Sequence, residues 1–189
     1  VAPGTYYGQL FKQLNGAMSP ISEKAAVEVA PMGKSLLPGA TPDEVAKFWQ
    51  ELEQLQASLQ EMTAQLDEES GKAGRLLKAY ERAPQADQAL LQDLLALRQT
   101  ALATERLLYG SKARGEIGEK NEQANVWSYL WAMSIGTSNA TYGPTPAHRE
   151  YFRYAQGMME EAGKQVAALR AQRMALEGRL KAIGAPSVE

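Results

Sequence analysis

The chain has 189 residues, 44% of them hydrophobic and 22% charged, enough for one medium-sized core. Its 20 basic and 22 acidic side chains nearly cancel, so no overall field favours nucleic acid or an anionic membrane surface. The lack of cysteine excludes a disulfide framework, thiolate metal sites and cysteine nucleophiles; a single histidine, His148, excludes a multi-histidine metal site or a histidine relay.

The sequence opens at Val1 with neither methionine nor a leader pattern. It is read as a processed protein or an excised piece, with any targeting signal upstream. No apolar run approaches the roughly 18 residues needed to span a bilayer. Residues 1–31 read as a β-hairpin. Pro3-Gly4 precedes the strand formers Thr5, Tyr6 and Tyr7, Asn15-Gly16 is a tight-turn dipeptide, and Ala26-Val27-Glu28-Val29 alternates up to Pro31. A hairpin alone is marginal in water, so it is expected to be the tail of a β-sandwich whose earlier strands precede Val1; the alternative lays it on the helices.

Residues 32–40, with two glycines and a proline, read as a linker, and residues 41–186 as a helical bundle. Thr41-Pro42-Asp43-Glu44 is a capping box with proline at the first helical position. Val45, Phe48, Leu52, Leu55, Leu59, Met62, Leu66, Ala73, Leu76 and Tyr80 then follow a three-four seam broken only at Glu69. A second helix over 86–109 carries Leu90, Leu91, Leu94, Leu95, Leu97, Leu102, Leu107 and Leu108 on a broad apolar face. Residues 111–121 read as a charged loop, 123–135 as a third helix, and 136–144 as a second loop. Thr145-Pro146 repeats the helix start, and the last helix runs to about Ile183 on a seam interrupted only by Arg173. The expected fold is therefore mainly α: an elongated bundle of two long and two shorter helices behind a small N-terminal hairpin. If the second and third helices run end to end, their summed length matches the rods; if the third doubles back, the last helix is antiparallel to the first. The antiparallel order would pair acidic residues 43–69 with basic residues 164–181, but surface pairs are worth under about 1 kcal/mol each. Fuller core burial favours the end-to-end order.

No phosphate loop, dinucleotide fingerprint, zinc-protease helix or nucleophile elbow occurs. No catalytic, cofactor-binding or metal-ligating residue is assigned. Asp67, Glu68 and Glu69 fan around one helix and read as a solvated face. Trp127 and Trp131, four apart, read as core packing rather than as an aromatic platform for sugar. One segment is a candidate ligand or partner loop. Residues 136–149 join small polar residues to a helix start, where Tyr142, Thr145, His148 and Arg149 could hold an anion or a carboxylate. Capping by Thr145, with Tyr142 over the core, explains the same residues without a ligand.

Val1-Ala2-Pro3-Gly4-Thr5-Tyr6, Ala40-Thr41-Pro42-Asp43-Glu44-Val45-Ala46-Lys47-Phe48-Trp49, Gly115-Glu116-Ile117-Gly118-Glu119-Lys120-Asn121 and the 136–149 loop together give the chain a family likeness. It resembles the C-terminal region of large bacterial proteins built on a sortilin-like β-propeller of neuraminidase-type repeats and commonly labelled glycosyl hydrolases. The resemblance implies an immunoglobulin-like sandwich ending at residue 31, then a helical tail, in an exported protein, periplasmic or extracellular. Hydrolase chemistry would belong to the propeller, and no catalytic residue carries over to this chain. The expected function is a non-catalytic accessory domain, a brace or protein-interaction module, whose partners are its own upstream sandwich and propeller, another protein or a second copy. The alternative is that residues 136–149 contribute to a ligand or active site completed by the propeller.

Overall fold

The computed structural model describes residues 2–31, 33, 38–85, 87–119, 123–140 and 142–187. Most of the segment read as a linker, 32 and 34–37, lies outside them, as do Ala86, Lys120, Asn121 and Thr141.

The N-terminal segment folds as a two-stranded antiparallel ribbon in two stretches. β1 (Gly4–Gly8) pairs with β4 (Ala25–Val29), and β2 (Phe11–Leu14) pairs with β3 (Ala17–Pro20). Asn15 and Gly16 form the tip with φ of 49° and 82°, the positive pair that a type I′ hairpin turn requires. Between the stretches, Ser22 holds the irregular return strand: its Oγ accepts from the Leu10 N–H at 3.0 Å and its carbonyl from the Gln9 amide at 3.0 Å. The outgoing strand thus extends to Leu14, further than the Thr5–Tyr7 signal indicated.

Five helices follow among the described residues. α1 (Pro42–Tyr80) starts at the expected capping box: the Thr41 N–H donates to Glu44 Oε2 at 2.7 Å, and Thr41 Oγ1 accepts from the Glu44 N–H at 3.3 Å. It stays helical through Gly71 and Gly74, and its 39 residues make a rod of about 58 Å. α2 (Gln88–Tyr109) is capped by Asp87, whose Oδ1 accepts from the Leu90 N–H at 2.9 Å. α5 (Pro146–Ala182) is the second long rod.

The parts between α2 and α5 correct the sequence reading. α3 (Lys112–Glu116) is a single capped turn within the expected loop, because the Ser111 hydroxyl accepts from the Arg114 N–H. α4 (Val126–Ser138) starts later than expected, at an Asn125–Ser128 capping box, and continues through Gly136, which the sequence pattern places in a loop. Glycine is used there for space rather than for flexibility. A Cβ on Gly136 would lie 2.3 Å from His148 Nε2, so only glycine lets that ring approach α4.

α1 and α5 run parallel. Phe48 meets Phe152 with ring centroids 6.1 Å apart, Glu69 meets Arg170 and Arg173, and the Gly184 turn abuts Pro84. Down α5 from its C-terminus, the partners are Asp93 at Arg179, Thr104 at Gln165, then Tyr129 at Tyr154 and Tyr151. α4 therefore continues α2 end to end, the arrangement that core burial favours. The core is one leucine-rich column, with Leu59, Leu76, Leu90, Leu94, Leu97, Leu108 and Leu169 essentially inaccessible. Truncating such a leucine typically costs 2–5 kcal/mol. Leu95 and Leu102, placed on the apolar face by sequence, are exposed; Ala101 and Thr104 fill the column instead.

The interruptions of the two seams meet. Glu69, 1% exposed, accepts from Arg173 Nε at 2.6 Å and from Arg170 Nε at 3.1 Å, with Lys72 Nζ 3.8 Å away. Arg173 also donates to Glu177 at 3.1 Å. Glu69 is thus not part of a solvated face. It anchors a partly buried ion-pair network that fixes how α1 slides against α5, whereas Asp67 and Glu68 do face solvent.

Candidate functional site

The α4–α5 connection sits at the end of the bundle, over the start of α1. Thr145 caps α5: its Oγ1 accepts from the His148 N–H at 3.3 Å, and its own N–H donates to His148 Nδ1 at 3.2 Å. His148 thus takes the position that glutamate occupies in the α1 box. It can accept only through a bare Nδ1, while Nε2 lies against Gly136. The Tyr142 carbonyl accepts from the Ala40 N–H at 2.8 Å, and a Cβ on Gly39 would lie 2.8 Å from that same oxygen. Gly143, at φ 76°, leaves no room for a Cβ, which would fall 2.6 Å from Val45 Cγ2 and 2.7 Å from Ala40 Cβ. The loop is a clamp joining the entrance of α1 to the turn into α5.

The four candidate residues therefore divide. Thr145 and His148 are engaged in capping, and Tyr142 clamps through its main chain while its ring stays 45% exposed. Arg149 is exposed beside Glu44, with Lys47, Phe48 and Glu51 around a small cavity of about 170 Å³. The Thr41 backbone and hydroxyl hydrogen bonds, with a smaller contribution from Arg149, hold the Glu44 carboxyl below its usual pKa. Two carboxylates among two cations form a balanced, solvated cluster. Among the described residues no group of three or more acidic or histidine side chains converges as metal ligands would.

Two surfaces were not anticipated from the sequence. Trp127 and Trp131 are 45% and 58% exposed, with Ile135 one turn further on, so they do not pack in the core as expected. Val126, Leu130, Met133 and Thr137 face inward, one position out of phase. The helix is uncharged, so apolar residues lie all round it and periodicity alone could not select the buried stripe; the i, i+4, i+8 spacing of the two tryptophans and Ile135 was the available signal. The second surface lies between the ribbon and α1, an open groove of about 550 Å³ lined by Tyr6, Val45, Trp49, Gln50 and Glu53 among others.

No protein-family model, curated protein or solved structure matches the chain.

Proposed function

We propose that the chain is a non-catalytic accessory module: a stiff helical brace carrying a β-ribbon that docks on another protein body. The supporting observation is the clamp at the bundle end, where Thr145 and His148 cap α5 against Gly136 while the Ala40–Tyr142 bond and Gly143 tie the loop to the entrance of α1. A site with nucleophile, base and oxyanion donors would need such groups converging on open space. The resemblance to propeller proteins adds that the ribbon closes an immunoglobulin-like sandwich next to a propeller in an exported protein. A second reading, that residues 136–149 complete a ligand site on that propeller, draws on the exposure of the Tyr142 ring and Arg149.

Incubating the chain with aryl glycosides and peptide substrates tests the brace reading. No turnover is expected, and turnover abolished by His148→Ala or Arg149→Ala would overturn it. For the second reading, Arg149→Ala in the full-length parent should weaken ligand binding at unchanged thermal stability.

A further inference from the structure

We infer that the groove between the ribbon and the first half of α1 is a binding site for an alkylated ammonium head group; this goes beyond the brace reading and does not rest on it. The groove holds about 550 Å³, within the roughly 300–1,000 Å³ of small-ligand sites. The rings of Tyr6 and Trp49 wall it over a floor of Val45 and Ala46, with Gln50 and Glu53 as its polar side chains besides the Tyr6 hydroxyl. These walls are set before any ligand arrives. The Tyr6 hydroxyl donates to the Ala2 carbonyl at 2.7 Å, Trp49 packs half-buried against the core, and the Ala40 N–H donates to the Tyr142 carbonyl at 2.8 Å. A preformed site loses little binding energy to ordering.

Charge selects the sign of the ligand. Among the described residues, Glu53 is the one charged side chain lining the groove, and it makes no ion pair. Between Phe48 and Gly71, α1 carries six acidic residues and no basic one, while Lys47 and Arg149 line the separate cavity beside Glu44 and Glu51. A cation over two ring faces is attracted by both quadrupoles, and a neighbouring carboxylate adds to that attraction. The lining also selects the kind of cation. A primary ammonium brings three N–H donors to satisfy, and beyond Glu53 and the Gln50 amide the groove has few acceptors. An alkylated ammonium brings none and turns an apolar surface to the rings.

Titrating the whole chain with choline tests this, read from the NMR shifts of the Trp49 indole N–H and the backbone amides of residues 42–53. Saturable shifts with a Kd on the order of 1 mM are expected. Ethanolamine, the primary-ammonium counterpart, and 3,3-dimethylbutan-1-ol, the uncharged isostere, should each bind at least fivefold more weakly. Glu53→Gln and Tyr6→Leu should each weaken choline at least fivefold. Glu51→Gln, on the α5 side of the same helix, should leave its Kd within twofold. Phosphatidylcholine vesicles distinguish the source of the head group: co-sedimentation lost in Glu53→Gln assigns it to a lipid, and choline binding without co-sedimentation assigns it to a free cation. No saturable shift up to about 20 mM overturns the inference. So does equal binding of ethanolamine or the uncharged isostere, or a choline Kd unchanged in Glu53→Gln. None of these results touches the brace reading, which falls only if the chain turns over a substrate.

Discussion

Glu69→Ala should be the most damaging single change to a charged side chain in this bundle. It leaves Arg173, whose side chain is 12% exposed, with only Glu177 at 3.1 Å. Removing one partner of a buried pair typically costs 3–5 kcal/mol. Because Glu177 remains and Arg170 is half exposed, the lower end applies, about 3 kcal/mol. That corresponds to a fall in Tm of about 6–12 °C for a chain of this size. Replacing both partners, Glu69→Leu with Arg173→Leu, removes the desolvation cost with the attraction, and should return stability to within about 1 kcal/mol of the parent. Urea unfolding of the two single variants and the double measures the coupling, expected to exceed about 2 kcal/mol. Single-variant costs that simply add, or a Glu69→Ala loss below about 0.5 kcal/mol, would refute the reasoning. The pH dependence carries a definite sign. Burial pushes the Glu69 carboxyl up, but hydrogen bonds from Arg173 and Arg170 outweigh it and hold the folded value below the ordinary range. The stabilisation is therefore complete above the unfolded carboxylate pKa of about 4.3. It is lost as pH falls through the folded value, so the gap between parent and Glu69→Gln should close on acidification.

Three further outcomes follow from the clamp and the exposed helix. Gly136→Ala drives the His148 ring off its cap, a loss of about 1 kcal/mol that the gain in helix propensity largely offsets, whereas in a His148→Ala background the same change should stabilise the protein by about 0.5–1 kcal/mol in thermal unfolding. Gly143→Ala, with its positive φ and two contacts inside 2.8 Å, should cost about 2 kcal/mol or more in urea. Trp131→Ser should change stability by under about 0.5 kcal/mol in the same assay, whereas a core tryptophan would lose several.

The helix starts were readable because capping is local: Thr41 with Glu44 and Thr145 with Pro146 announce themselves within four residues. The parallel order of the rods followed from matching lengths, since a broken middle layer is what covers both. The Glu69–Arg173 pair was visible only as two separate flaws, because periodicity treats each helix alone and their meeting is a tertiary event. The start of α5 within the 136–149 segment is legible in the sequence, but residues 136–138 belong to α4, and that His148 bonds back to Thr145 and rests on Gly136 depends on α4 running three residues past Ile135. The tryptophans were misplaced because an uncharged helix offers no polar side to mark the outside.

Pulsed dipolar spectroscopy between spin labels at Lys47→Cys and Lys181→Cys most directly tests whether two parallel rods form a stiff brace, and the cysteine-free background makes such labelling clean. With Phe48 level with Phe152, about 30 residues of α5 separate the labels along the axis, so a narrow distribution near 45 Å is expected. A short separation would mean antiparallel rods, and a broad distribution would mean rods that do not brace anything.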